Sequence, residues 1–154
     1  QREYRAIVAG HPTDGTIRSW IAEDRGDSYR GSVPEIEAVR RDAKEAITHV
    51  TCLERFAHAT LIACRLETGR THQIRIHLSE AGCPLLGDKV YAKACRIRGK
   101  LPSFPIPESK RLALHALRLR FMHPATQQVI EIEAPFPPDL TALLQQLRKA
   151  ETRA

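Results

Sequence analysis

The chain has 154 residues, 42% hydrophobic and 27% charged, a balance that excludes a disordered chain and suits one domain around one hydrophobic core. No apolar run approaches the roughly 20 residues of a membrane-spanning helix, and the first residues do not read as a secretory leader. With 24 Lys+Arg against 18 Asp+Glu, the net charge of +6 favours a polyanionic partner without requiring one.

In chain order, "YRAIVAG" at 4–10 predicts a strand ending in the turn-forming "GHPTDG". Residues 16–21 suit a short strand. The charged 22–32 reads as an exposed loop, with Arg-Gly-Asp at 25–27 as loop chemistry rather than an adhesion signal. Two β-rich runs, 45–56 and 59–67, are joined by "AH" and predict a hairpin. "THQIRIHLSEAG" at 71–82 predicts a helix: Thr71 is the N-cap, Ile74, Leu78 and Ala81 fall at helical spacing, and Gly82 suits the C′ position.

Residues 93–110 hold three prolines, Gly99 and several cations, and read as a long irregular loop. Strands at 112–121 and 128–135 flank the turn "MHPATQ". Ile130 and Ile132 alternate with Glu131 and Glu133, which predicts one buried and one wet face. Residues 139–150 close the chain as an amphipathic helix capped by Asp139, with Leu140, Leu143, Leu144 and Leu147 as its stripe. The expected class is α+β, a mostly antiparallel sheet with a few helices in a single domain.

Most catalytic signatures are missing. His72 and His77 stand five apart, so they do not share a helical face as an i,i+4 metal pair does, and no metal is expected. Cys52, Cys64, Cys83 and Cys95 form no Cys-x-x-Cys pair, which removes zinc-ribbon spacing and suits a reducing, cytoplasm-like compartment. Neither a nucleophile elbow nor a glycine-rich phosphate loop occurs.

"TGRTHQIR" at 68–75 is different. Gly69 permits a tight turn, Arg70 stands at the helix entrance, and Arg75 lies one turn further on, where it reaches the same cleft. An arginine held there can fix a carboxylate bidentately or grip a phosphate. Taken alone, these residues read more readily as a capped helix with solvated arginines.

The stretch resembles the C-terminal motif of the RluA-type RNA pseudouridine synthases. "EYRAIVAG" resembles the strand carrying that family's active-site tyrosine, here Tyr4. "AKEAITHV" is similar to its Lys, Ala and Thr pattern, with Lys44, Ala46 and Thr48. "LETGRTHQIRIHLSEAGCPLLGDKVY" resembles the arginine-bearing motif and the following Gly-Asp-x-x-Tyr, at Gly87, Asp88 and Tyr91. "RLALHALRLRFMHPATQQ" and "APFPPD" resemble the closing strands. Ala92 and the turn "ATQQ" replace glycines common in the family.

The resemblance implies an isomerase that detaches uracil from its ribose and rejoins it through carbon 5, on ribosomal or transfer RNA, with no cofactor. Tyr4 would stack on the uracil and take the carbon 5 proton. Arg75 would hold the nucleophilic aspartate ionised. Leu85 or Leu86 would wall the uracil, core packing being the equal alternative. Arg70, Lys44, Lys89 and the basic loop at 93–100 would meet RNA phosphates. The family's nucleophile lies in an upstream Arg-Leu-Asp, and that tripeptide is absent from these residues. The sequence, beginning at Gln1 rather than Met, therefore reads as the C-terminal part of a catalytic domain, inactive alone, with an open sheet edge where upstream strands belong. The rival reading is an RNA-binding module without catalysis.

Overall fold

The computed structural model describes residues 1–26, 29–97, 99–101 and 103–152. The apolar first segment forms strand β1 (Arg2–Ala9), and beyond a turn lie β2 (Gly15–Ala22), β3 (Gly31–Val33) and the short helix α1 (Glu35–Ala38). The expected central hairpin is present as β4 (Lys44–Arg55) and β5 (Ala59–Leu66). Helices α2 (Gln73–Glu80) and α3 (Lys89–Ile97) follow. The chain closes with the hairpin β6 (Leu114–Met122) and β7 (Val129–Glu133) and with helix α4 (Pro138–Glu151).

The described strands join one sheet in the order β3-β2-β4-β5-β1-β6-β7, with every neighbouring pair antiparallel. This is the α+β architecture expected. β1 sits inside the sheet and is buried on both faces, because side chains alternate along a strand. Ala6 and Val8 pack with Ile62, Cys64 and Leu66 beneath Ile74 and Leu78 of α2. Ile7 and Ala9 pack on the opposite side with Phe56 and Ala113, against Leu140, Leu143, Leu144 and Leu147 of α4. Each such leucine contributes about 1.5–3 kcal/mol on burial. Tyr4, in phase with Ala6 and Val8, therefore stands on the α2 side.

Six expectations change, the first being that the end of the loop expected at 22–32 is not exposed but pairs with β2 as β3. The N-cap of α2 is His72, in the left-handed region at φ 59° and ψ 18°, and Thr71 is exposed. Gly82 ends the helix at φ 82°, as expected. Gly69 is not among the glycines with positive φ; its missing side chain instead makes room for the Arg2 guanidinium. The first part of the expected loop at 93–110 is helical, because Asp88 accepts from the backbone N–H groups of Val90 and Tyr91 at 3.1 and 3.0 Å. The buried Tyr91, Ala94 and Cys95 then give α3 an inner face. Residues 98 and 102 of that stretch, and Asp27 of the Arg-Gly-Asp, lie outside the described residues.

β7 has no dry face: Ile132 is 54% exposed, since the leucines of α4 pack on the other core. Asp139 does not cap α4. The N-cap position is Pro137, and Asp139 lies in the first turn, ion-paired with Arg111. Among the described strands, the outermost are β3 and β7.

Candidate active-site cleft

The polar residues of "TGRTHQIRIH" divide between holding the helix and facing the cleft. Gln73 is 2% exposed and makes four hydrogen bonds through its amide. Its nitrogen donates to the Ile47 carbonyl at 2.9 Å and to Thr48 Oγ1 at 3.0 Å. Its oxygen accepts from Thr68 Oγ1 at 2.8 Å and from the Arg70 backbone N–H at 3.0 Å. One side chain thus joins β4, the turn before α2 and the first residue of that helix. A turn later the buried His77 lies between Thr48 Oγ1 and Ser19 Oγ, each at 2.9 Å. Burial pushes the His77 pKa down to about 4, so the ring is neutral.

Arg75, between these two anchors, points the other way. Its Nε and Nη2 donate to the Asp88 carboxylate at 2.7 and 2.9 Å, a bidentate pair. The Asp88 side chain is completely buried, and Arg75 is 17% exposed. The guanidinium also lies 4.8 Å from the centre of the Tyr91 ring. Asp88 raises the Arg75 pKa above its ordinary value, keeping it cationic. Gly87 is needed to bring Asp88 here: its φ is 75°, and a Cβ would collide with the Arg111 carbonyl.

Tyr4 enters from β1, whose register against β6 shifts between Glu3 and Tyr4. Such bulges re-aim side chains next to functional sites. Tyr4, Arg70, His72 and Arg75 line one open cleft of about 280 Å³, with apolar walls from Leu66, Ile74, Leu112 and Leu114. Three of the expected site residues, Tyr4, Arg70 and Arg75, are therefore brought together.

Other expectations fall elsewhere. Leu85 is buried in the core beneath the cleft with Ile74, and Leu86 is fully buried on the opposite side of the sheet with Ile7 and Leu140. Neither lines the cleft. Arg70 donates from Nε to the Glu45 carbonyl at 2.9 Å. Lys44, one residue earlier, is exposed and paired with Asp42. Lys89 opens α3 beside Asp88, and Lys89, Lys93 and Arg96 are exposed at helical spacing.

Sequence reasoning missed Gln73 and His77 as helix anchors and Asp88 as a helix cap. An acidic residue directly before the periodic Tyr91, Ala94 and Cys95 was the available signal for that cap. No group of three or more His, Cys, Asp or Glu among the described residues is placed to hold a metal ion.

A family model described as RNA pseudouridylate synthase matches residues 1–80, more than half of the chain and including Tyr4, Arg70 and Arg75. The chain belongs to the RNA pseudouridylate synthase family. Among its pseudouridylate synthase relatives is YlyB of Bacillus subtilis (strain 168), named as an uncharacterized RNA pseudouridine synthase. It is 43% identical over 152 residues, 96% of this chain and 44% of its own length. A protein of Neisseria meningitidis named ribosomal large subunit pseudouridine synthase D is 41% identical over 150 residues, 96% of this chain and 39% of its own. The structure of human RNA Pseudouridylate Synthase Domain Containing 4 superposes with a TM-score of 0.69 at 25% identity, covering 96% of this chain and 62% of the human one. The chain thus spans less than half the length of these two curated relatives.

Proposed function

We propose that a polypeptide carrying this chain, together with the further length its relatives have, converts a specific uridine of RNA to pseudouridine. Its substrate is large-subunit ribosomal RNA in a cytoplasmic setting, and the names of several relatives support ribosomal over transfer RNA. The observation that carries the reading is the meeting of Tyr4 with Arg75 in a cleft with apolar walls. No helix of the described residues is long and apolar enough to cross a membrane.

The reaction breaks the bond from the ribose to nitrogen 1 and makes one to carbon 5. Carbon 5 loses a proton and nitrogen 1 gains one, so substrate and product are isomers. The target base must first leave its stack, which costs a few kcal/mol. The flipped ring stacks on Tyr4 between the apolar walls, and the phenol takes the carbon 5 proton; the position of Tyr4 in the cleft lining supports this reading.

The nucleophile is an aspartate supplied by the remaining length of the polypeptide. Asp88 does not serve, since Arg75 and the N-terminus of α3 already hold its carboxylate. Arg75 keeps N–H groups beyond the two given to Asp88, and a second carboxylate beside them would be held ionised, its pKa lowered by about 1–3 units. Arg70, Lys44, Lys89, Lys93 and Arg96 contact backbone phosphates around the cleft.

The test is to incubate the full-length protein with unmodified large-subunit ribosomal RNA and count pseudouridines by mass spectrometry. One new pseudouridine is expected, lost in Arg75→Ala. RNA binding with no new pseudouridine would select the RNA-binding module instead.

A further inference from the structure

We propose that His72 is a substrate-contacting residue of this cleft, donating a hydrogen bond from Nε2–H to a carbonyl of the flipped uracil; the inference rests on the pseudouridine synthase reading above. Its backbone is the first observation. His72 holds φ 59° and ψ 18°, a left-handed conformation costing a side-chain-bearing residue on the order of 1–2 kcal/mol. It stands at the N-cap of α2 yet makes no side-chain capping bond. Gly, Asn or Ser would serve that position better if capping were its purpose.

The ring is held in a defined state. Its Nδ1 lies 3.1 Å from the Tyr91 hydroxyl, and the two rings meet edge-on at 5.7 Å. Tyr91 is buried, and Nδ1 is the only partner of its hydroxyl among the described residues. A buried phenol must donate its proton, so Nδ1 accepts, and the imidazole proton sits on Nε2. Partial desolvation of the ring, reinforced by Arg75 and Arg30, lowers the His72 pKa and favours this neutral form.

Elimination among the polar groups of the cleft gives the ligand chemistry. The Gln73 amide is fully engaged, the Arg75 N–H groups not given to Asp88 serve the nucleophilic carboxylate on the reading above, Tyr4 serves stacking and proton transfer, and Arg70 is a cation suited to phosphate. His72 Nε2 has no partner among the described residues, and the residue is exposed in the cleft wall. A neutral N–H donor beside apolar walls suits the carbonyl of a base. A phosphate would be taken by the neighbouring arginines, which carry full charge.

The test uses the full-length protein and its His72→Gly and His72→Asn variants, both compatible with a left-handed backbone. His72→Gly relieves the left-handed strain but leaves the Tyr91 hydroxyl without its acceptor, so Tm should stay close to wild type or fall slightly, while kcat/KM drops by roughly tenfold to a hundredfold, the effect of leaving one base carbonyl unpaired. His72→Asn, which retains N–H donors, should fall between. Binding to an RNA carrying the target uridine should weaken in His72→Gly. Binding to the same RNA with that base removed should match wild type.

Wild-type turnover by His72→Gly overturns the proposal. So does a binding loss that persists on the abasic RNA, or one accompanied by a shallower salt dependence, since either marks a backbone contact. An inactive wild type overturns the synthase reading and this inference together, whereas an active wild type with an unaffected glycine variant removes only the inference.

Discussion

The Arg75 guanidinium and the Asp88 carboxylate, brought from α2 and from the N-terminus of α3, meet in two contacts of 2.7 and 2.9 Å. One carboxylate therefore sets both the aim of the cleft arginine and the start of the helix beside it. Removing the charge of Asp88 leaves Arg75 partly buried without its counter-charge. Asp88→Asn should cost about 3–5 kcal/mol in urea unfolding and should lower turnover in the full-length protein. Arg75→Lys should not restore the turnover lost in Arg75→Ala, because an ammonium cannot reproduce the planar two-point contact.

Gln73, in the cleft lining, ties β4 to the turn before α2. Gln73→Glu has nearly the same shape but no N–H donors, and it sets a carboxylate against the Ile47 carbonyl. Gln73→Leu leaves the Arg70 backbone N–H and the Thr68 hydroxyl without their acceptor. Each should destabilise the protein by at least about 2–4 kcal/mol in chemical denaturation. The glutamate variant should be the worse.

His77 gives the fold a dependence on acid. Its pKa is about 4 in the folded protein against 6.5 ordinarily, so the unfolded chain binds the proton more tightly. The stabilisation is fully present above pH 6.5 and is lost as pH falls through the window from 6.5 to about 4. Its size is roughly 3 kcal/mol at one proton over that window. The nearby Glu80 opposes part of the shift. The urea midpoint of wild type should fall more steeply across this window than that of His77→Gln, and equal slopes would show that the ring takes no part.

The exposed cations of α3 should be visible in salt dependence. On the proposed reading, replacing Lys89, Lys93 and Arg96 together by alanine would remove three phosphate contacts. The slope of log binding constant against log salt for single-stranded RNA should become shallower by about 2. An unchanged slope would remove α3 from the RNA surface.

The amino-acid sequence by itself determined the longer strands, the hairpins and the closing helix, but not β3 or the strand order. The former depend on local periodicity and on turn residues close in the chain. It also carried Tyr4, Arg70 and Arg75 as an ordered set, because motif order survives without coordinates.

Tertiary structure alone decided which polar residues face the cleft. Along α2, Gln73, Arg75 and His77 are polar alike, and their distances in sequence do not tell a buried anchor from a cleft cation. The difference lies in partners remote in the chain: Thr48 and Ser19 for His77, Asp88 for Arg75. Leu85 and Leu86 are likewise adjacent and chemically identical, yet they enter cores on opposite sides of the sheet. A buried polar group is stable only where such a partner meets it, and folding, not spacing, brings that partner in.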